Sequence, residues 1–116
     1  MPSAPTWRPI ATIDELWEGE IAEFYAGDHP ILLAHLRSGD IRAYDGRCPH
    51  AGFPLADGEV IGDALVCAAH SWEFDLRTGN GLNPDNCRLQ SYPVRRHGDR
   101  IMVWLNENTP EKRGQR

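Results

Sequence analysis

Apolar and polar residues alternate along this chain in short bursts, each cut off by turn-forming residues, and that rhythm predicts strands rather than helices. Strands are expected over residues 6 to 11, 20 to 25, 30 to 36, 41 to 44, 59 to 61, 64 to 67, 72 to 75, 89 to 96 and 100 to 105. Gly27-Asp28, Ser38-Gly39-Asp40, Gly62-Asp63 and Gly98-Asp99 mark turns between them. Thr12-Ile13-Asp14-Glu15 has the spacing of a capping box and predicts one brief helical turn. Many turns and little helix indicate an all-β fold, an antiparallel sandwich or barrel. The outer strands are expected to form a base, with Trp7, Trp17 and Trp104 packing in it, and the central segment, about 45–88, to form a cap. Residues 1–105 read as a single domain, and the polar stretch 106–116 has no apolar residue to anchor it and reads as a disordered tail.

Charge and cysteine usage narrow the setting. The 116 residues carry a formal net charge of −5, and the single lysine, Lys112, lies in the tail. That balance argues against nucleic acid or an anionic membrane as partner and favours a protein with a basic docking surface. The longest aliphatic run, Ile31 to Ala34, is far too short for a membrane span, and Met1 to Arg8 lacks the apolar core of a signal peptide. Of three cysteines, two carry the chemistry below, which leaves Cys87 no disulfide partner. A soluble protein of the reducing cytosol is expected. A domain this small also depends on a metal or another staple for part of its stability.

The chemistry lies in Cys48-Pro49-His50 and Cys67-Ala68-Ala69-His70, with sixteen residues between His50 and Cys67. Neither pair can wrap a metal alone, so two loop tips must close on one centre, each offering a sulfur and a nitrogen. Two thiolates on one iron and two neutral imidazoles on the other would make a lopsided iron-sulfur site. Such a site is neutral when oxidised and singly negative when reduced, so it takes an electron more readily than a four-cysteine cluster. Pro49, Gly52, Pro54 and Gly58 limit regular structure in the first loop, and the second leads into Ser71-Trp72-Glu73-Phe74-Asp75, which alternates like a strand. The competing reading is a zinc-stabilised interaction module. Zinc shells of two Cys and two His usually pair like with like, and here each pair is mixed.

The C-x-H and C-x-x-H pairs resemble a Rieske 2Fe-2S centre. Gly79 to Cys87, with Asn83-Pro84-Asp85 at its heart, then Leu89, Tyr92-Pro93-Val94 and Gly98-Asp99-Arg100-Ile101, is similar to the Rieske ferredoxins of toluene 4-monooxygenase and related alkene and isoprene soluble diiron monooxygenases. The resemblance implies the Rieske fold, with a smaller cluster-binding part made by two loops on a β-sandwich base. It implies one 2Fe-2S cluster, with Cys48 and Cys67 on the buried iron and His50 and His70 on the iron nearer the surface. It also implies a monomeric electron carrier with no catalytic residue. That carrier would be loaded by an NADH-dependent reductase with flavin and iron-sulfur centres, and would pass its electron to a diiron hydroxylase. A ferredoxin of an aromatic-ring-hydroxylating dioxygenase is the alternative within the family. A whole ring-hydroxylating oxygenase would need a further catalytic domain, for which nothing after residue 105 provides sequence.

Higher-potential members resemble C-T-H-L-G-C and C-P-C-H-G-S-x-Y, where an extra disulfide and two hydroxyl donors stabilise the reduced cluster. Phe53, Ala69, Trp72 and Phe74 stand at those positions here, which predicts a low potential, in the lower part of the roughly −150 to +300 mV Rieske range. Phe53, Pro54 and Trp72 are the docking candidates beside the histidines, with Trp72 equally readable as packing, and Asp57 and Glu59 are candidates for steering. His29, His35 and His97 lack partners at ligand spacing and read as packing or surface residues, and Cys87 as a small buried or half-buried one.

Overall fold

The run Ile31 to Ala34 shows how the fold is built. In the computed structural model, which describes residues 6–49, 52–68 and 71–105, these four side chains are all buried, yet alternate residues of a strand point to opposite faces. A strand apolar on both faces must therefore lie between two cores. Ile31 and Leu33 pack with Ala11, Ile101, Val103 and Leu105, and Leu32 and Ala34 pack with Tyr44, Leu55, Leu65, Phe74 and Leu76. Each fully buried aliphatic side chain contributes about 1.5–3 kcal/mol relative to exposure, so both cores matter to stability.

Three antiparallel sheets follow. One joins β1 (Thr6–Thr12), β11 (Arg100–Leu105) and β10 (Val94–His97) in the order β1-β11-β10. The middle sheet runs β2-β3-β4-β9, from β2 (Ile21–Ala26), β3 (His29–His35), β4 (Ile41–Asp45) and β9 (Ser91–Tyr92). The third runs β5-β6-β7-β8, from β5 (Glu59–Ile61), β6 (Ala64–Val66), β7 (Glu73–Asp75) and β8 (Gly81–Asn83). The first two sheets are the base, and the third is the cap.

The expected helical turn is present as a 3-10 turn over Ile13–Glu15, with the Thr12 N–H donating to Glu15 Oε1 at 2.8 Å. The expected strand at 89 to 96 is broken in two at Pro93, which has no N–H to give a ladder. A strand absent from the pattern, β8, pairs with β7 inside the glycine-rich segment. Trp7 and Trp104 meet edge to face at 5.2 Å between ring centres, on paired residues of β1 and β11. Trp17 corrects the expectation of base packing: it is 68% exposed, because the preceding Leu16 takes the inward place at the end of the turn. The N-terminal residues 1–5 and the stretch 106–116 lie outside the described residues.

Candidate metal centre

Cys48 and Cys67 come from different loops but belong to one core, with Leu32, Leu55, Leu65 and Phe74. Both are buried and neither forms a disulfide. The two loops share one backbone plan. In the first, the Cys48 N–H donates to the Phe53 carbonyl at 2.8 Å, and the Gly52 N–H donates back to the Cys48 carbonyl at 2.8 Å. In the second, the Cys67 N–H donates to the Trp72 carbonyl at 2.7 Å, and the Ser71 N–H donates back to the Cys67 carbonyl at 3.0 Å. Arg47 bridges to Pro54, and Val66 pairs with Glu73, so the ladder below each cysteine keeps the same register. Seven residues beyond each cysteine, Leu55 and Phe74 are fully buried anchors.

A turn of this shape needs one residue in left-handed backbone four positions after the cysteine. Gly52 takes φ +71° at no steric cost, and Ser71 takes φ +60°, which an L side chain adopts less readily. The tips face outward: Pro49, Gly52 and Phe53 in the first loop and Ala68 and Ser71 in the second are all exposed. His50 and His70 fall on these tips by sequence and lie outside the described residues. Among the docking candidates, Phe53 is 50% exposed, Pro54 is half-buried, and Trp72 is half-buried against the same core as the cysteines. Asp57 and Glu59 are exposed beside the first loop.

Two further supports escaped the sequence. The Tyr44 side chain, buried on β4, donates its hydroxyl to the Leu76 carbonyl at 2.7 Å, and burial pushes its pKa up to about 12. Gly79 faces that ring so closely that a Cβ there would lie 2.8 Å from it. The Arg47 guanidinium, one residue before Cys48, meets Glu23 Oε1 on β2 at 2.6 Å, and the Tyr25 hydroxyl donates to Glu23 Oε2 at 2.7 Å. No pattern in the sequence marked these partners, which lie far apart along the chain. The other histidines have structural neighbours: His29 Nε2 is 2.9 Å from the Tyr92 hydroxyl, and His35 Nδ1 is 2.9 Å from the Leu16 carbonyl oxygen. His97 is exposed on β10. Cys87 is half-buried, its thiol directed at the Pro84 carbonyl at 3.5 Å and its pKa raised by burial, as expected of a small packing residue.

The Rieske 2Fe-2S domain profile matches residues 6–93. The chain belongs to the Rieske 2Fe-2S family. It is 40% identical over 95 residues to the ferredoxin component of the alkene monooxygenase system of Xanthobacter autotrophicus, covering 81% of this chain and 77% of that protein. It is 30% identical over 100 residues to the ferredoxin component of the naphthalene 1,2-dioxygenase/salicylate 5-hydroxylase systems of a Ralstonia species, covering 85% of this chain and 95% of that protein. Among solved structures, the ferredoxin of carbazole 1,9a-dioxygenase from Nocardioides aromaticivorans superposes with a TM-score of 0.74 at 26% identity, covering 84% of this chain and 96% of that one.

As a Rieske domain the chain carries a 2Fe-2S cluster, and the described donors fit it. Two thiols buried in one apolar core, on two turns of equal backbone plan, would suit the sulfur half of its donor set. The zinc reading gives way to the cluster because the Rieske 2Fe-2S profile covers residues 6–93. Among the described residues no helix is long and apolar enough to cross a membrane.

Proposed function

We infer that the chain is the electron-carrying ferredoxin of a multicomponent hydrocarbon monooxygenase, taking one electron from an NADH-dependent flavin and iron-sulfur reductase and delivering it to a diiron hydroxylase. The reading is carried by the paired cysteine turns, found in a chain that matches an alkene monooxygenase ferredoxin component over most of its length. When bound, the cluster supplies a one-electron store. The residues proposed to hold it are Cys48, His50, Cys67 and His70.

Cys48 and Cys67 hold their end of the site inside the core, where Leu55, Leu65 and Phe74 exclude water. The exposed tips adjoin His50 and His70 in sequence, and these two positions are the proposed exit for the electron to a partner. Phe53 and Pro54 offer that partner an apolar contact, and Asp57 and Glu59 steer a basic surface toward it. Fast turnover favours a small transient interface, below about 1,200 Å². The chain acts as a monomer in the cytosol, as residues 1–105 folded into a single domain, and performs no bond chemistry itself. Trp72 and Phe74 bring no hydroxyl, and the Tyr44 hydroxyl is committed to Leu76, so the potential is expected in the lower Rieske range.

Stopped-flow mixing of the reduced protein with a diiron hydroxylase and, separately, with a ring-hydroxylating dioxygenase tests this reading. Fast single-electron transfer to the hydroxylase supports it. Transfer to the dioxygenase alone would move the chain to the second reading, which the Ralstonia relative favours.

A further inference from the structure

The two cysteine turns differ most in what stands just before the cysteine. At that position the second turn has Val66, whereas the first has Arg47. Successive strand residues face opposite sides, so Cys48 enters the core while Arg47 reaches over the outside of the turn to β2. There Glu23 receives it. Both oxygens of the Glu23 carboxylate are engaged, one by the Arg47 guanidinium at 2.6 Å and the other by the Tyr25 hydroxyl at 2.7 Å. The Glu23 side chain is 17% exposed and that of Arg47 is 35% exposed. Burial weakens solvent screening at Glu23, while Arg47 stays partly open to solvent. Asp45 adds a local contact, accepting the Arg47 backbone N–H at 3.1 Å.

We propose that Glu23 and Arg47 form a charge-matched pair beside the first cysteine turn that keeps the cluster's reduction potential unbiased: Arg47 alone would favour the added electron, and Glu23 cancels that bias while holding the side chain in place. This rests on the electron-carrier reading and adds to it two positioning residues, neither of them a ligand. The pair sits beside Cys48, and among the described residues no ion pair stands at the equivalent place by Cys67, where Val66 pairs with Glu73. Electrostatics fixes the signs. Adding an electron makes the site more negative, so a cation left without its counter-ion eases reduction and an anion left without its cation opposes it.

The test is voltammetry on cluster-loaded Glu23→Gln, Arg47→Gln and the double variant, with EPR of each reduced sample to show that the cluster is intact. Glu23→Gln is expected to raise the midpoint, Arg47→Gln to lower it, and the double variant to return close to wild type. A loosened turn without an electrostatic role would move both single variants in one direction. Shifts of the same sign, or none, in proteins with intact EPR signals overturn the proposal. If Arg47→Gln fails to hold its cluster, Arg47→Lys keeps the charge: a midpoint close to wild type, beside a raised Glu23→Gln, supports the pair, and an unmoved Glu23→Gln overturns it. Failure of wild type to take a 2Fe-2S cluster would instead overturn the carrier reading.

Discussion

The two cysteine turns have the same backbone and different surroundings. Five residues after each cysteine stands an aromatic whose carbonyl receives the cysteine N–H: Phe53 in the first turn and Trp72 in the second. Phe53 is 50% exposed, while Trp72 lies half-buried against the core that holds both cysteines. The first turn is tied sideways to the base by Glu23 and Arg47, and the second stands on the β6-β7 ladder that continues it. Equivalent positions therefore carry different duties. The first turn presents its aromatic outward and is held from outside, whereas the second is held from beneath by packing.

The largest expected effect treats the turns alike. Cys48→Ala and Cys67→Ala should each abolish cluster binding, read as loss of iron and acid-labile sulfide from the purified protein. Retention of a full cluster by either variant would break the equivalence of the turns. The aromatics should then separate them. Trp72→Ala is expected to cost about 2 kcal/mol in urea unfolding, below the range for a fully buried aromatic, and Phe53→Ala less than about 0.5 kcal/mol. Phe53→Ala should instead slow electron delivery in stopped flow while leaving the EPR signal unchanged. A large rate loss in a stable Trp72→Ala protein would return Trp72 to the docking face.

The left-handed residues give a smaller, signed contrast. Gly52→Ala should destabilise by about 1–2 kcal/mol, because open space surrounds Gly52 and only its φ of +71° resists a side chain. Ser71→Gly should stabilise by at most about 1 kcal/mol, since relief at φ +60° is offset by the greater freedom of glycine in the unfolded chain. The smallest effect is one of pH. The side-chain hydrogen bond from Arg77 holds the Asp75 carboxyl below its ordinary pKa at the end of β7. A lowered folded pKa gives stability that is present above the unfolded value, about 3.9, and is lost as pH falls through the folded one. Arg77→Ala should thus lower the thermal midpoint slightly at pH 6 and leave it nearly unchanged well below pH 3.

Much of this arrangement was legible in the residues, and the reasons are local. Alternation marks β1 to β7 because one face or both of most of them turns from solvent, and Thr12 to Glu15 marks its turn because capping is decided within four residues. The cysteine and histidine pairs stood out by spacing alone. Pro93 should have split its strand on the same local grounds, since proline cannot donate. Other features depend on distant partners. Glu23 and Arg47 are far apart in sequence and meet only once β2 lies beside the first turn. Trp17 was expected in the base and lies exposed, because one residue of phase at the end of a 3-10 turn decides between core and solvent. The β8 strand is short and glycine-led, so it carries no alternation to read. The repeated turn plan was hidden by the unequal histidine spacing, although the aromatic five residues after each cysteine was its trace.

On this reading Cys48 and Cys67, with His50 and His70, hold one mixed-ligand cluster. EPR of the dithionite-reduced protein, with iron, sulfide and zinc measured on the same sample, tests it most directly. A rhombic Rieske signal with equal iron and sulfide is expected. Stoichiometric zinc with no visible absorption, or the signal of an all-cysteine cluster, would contradict it.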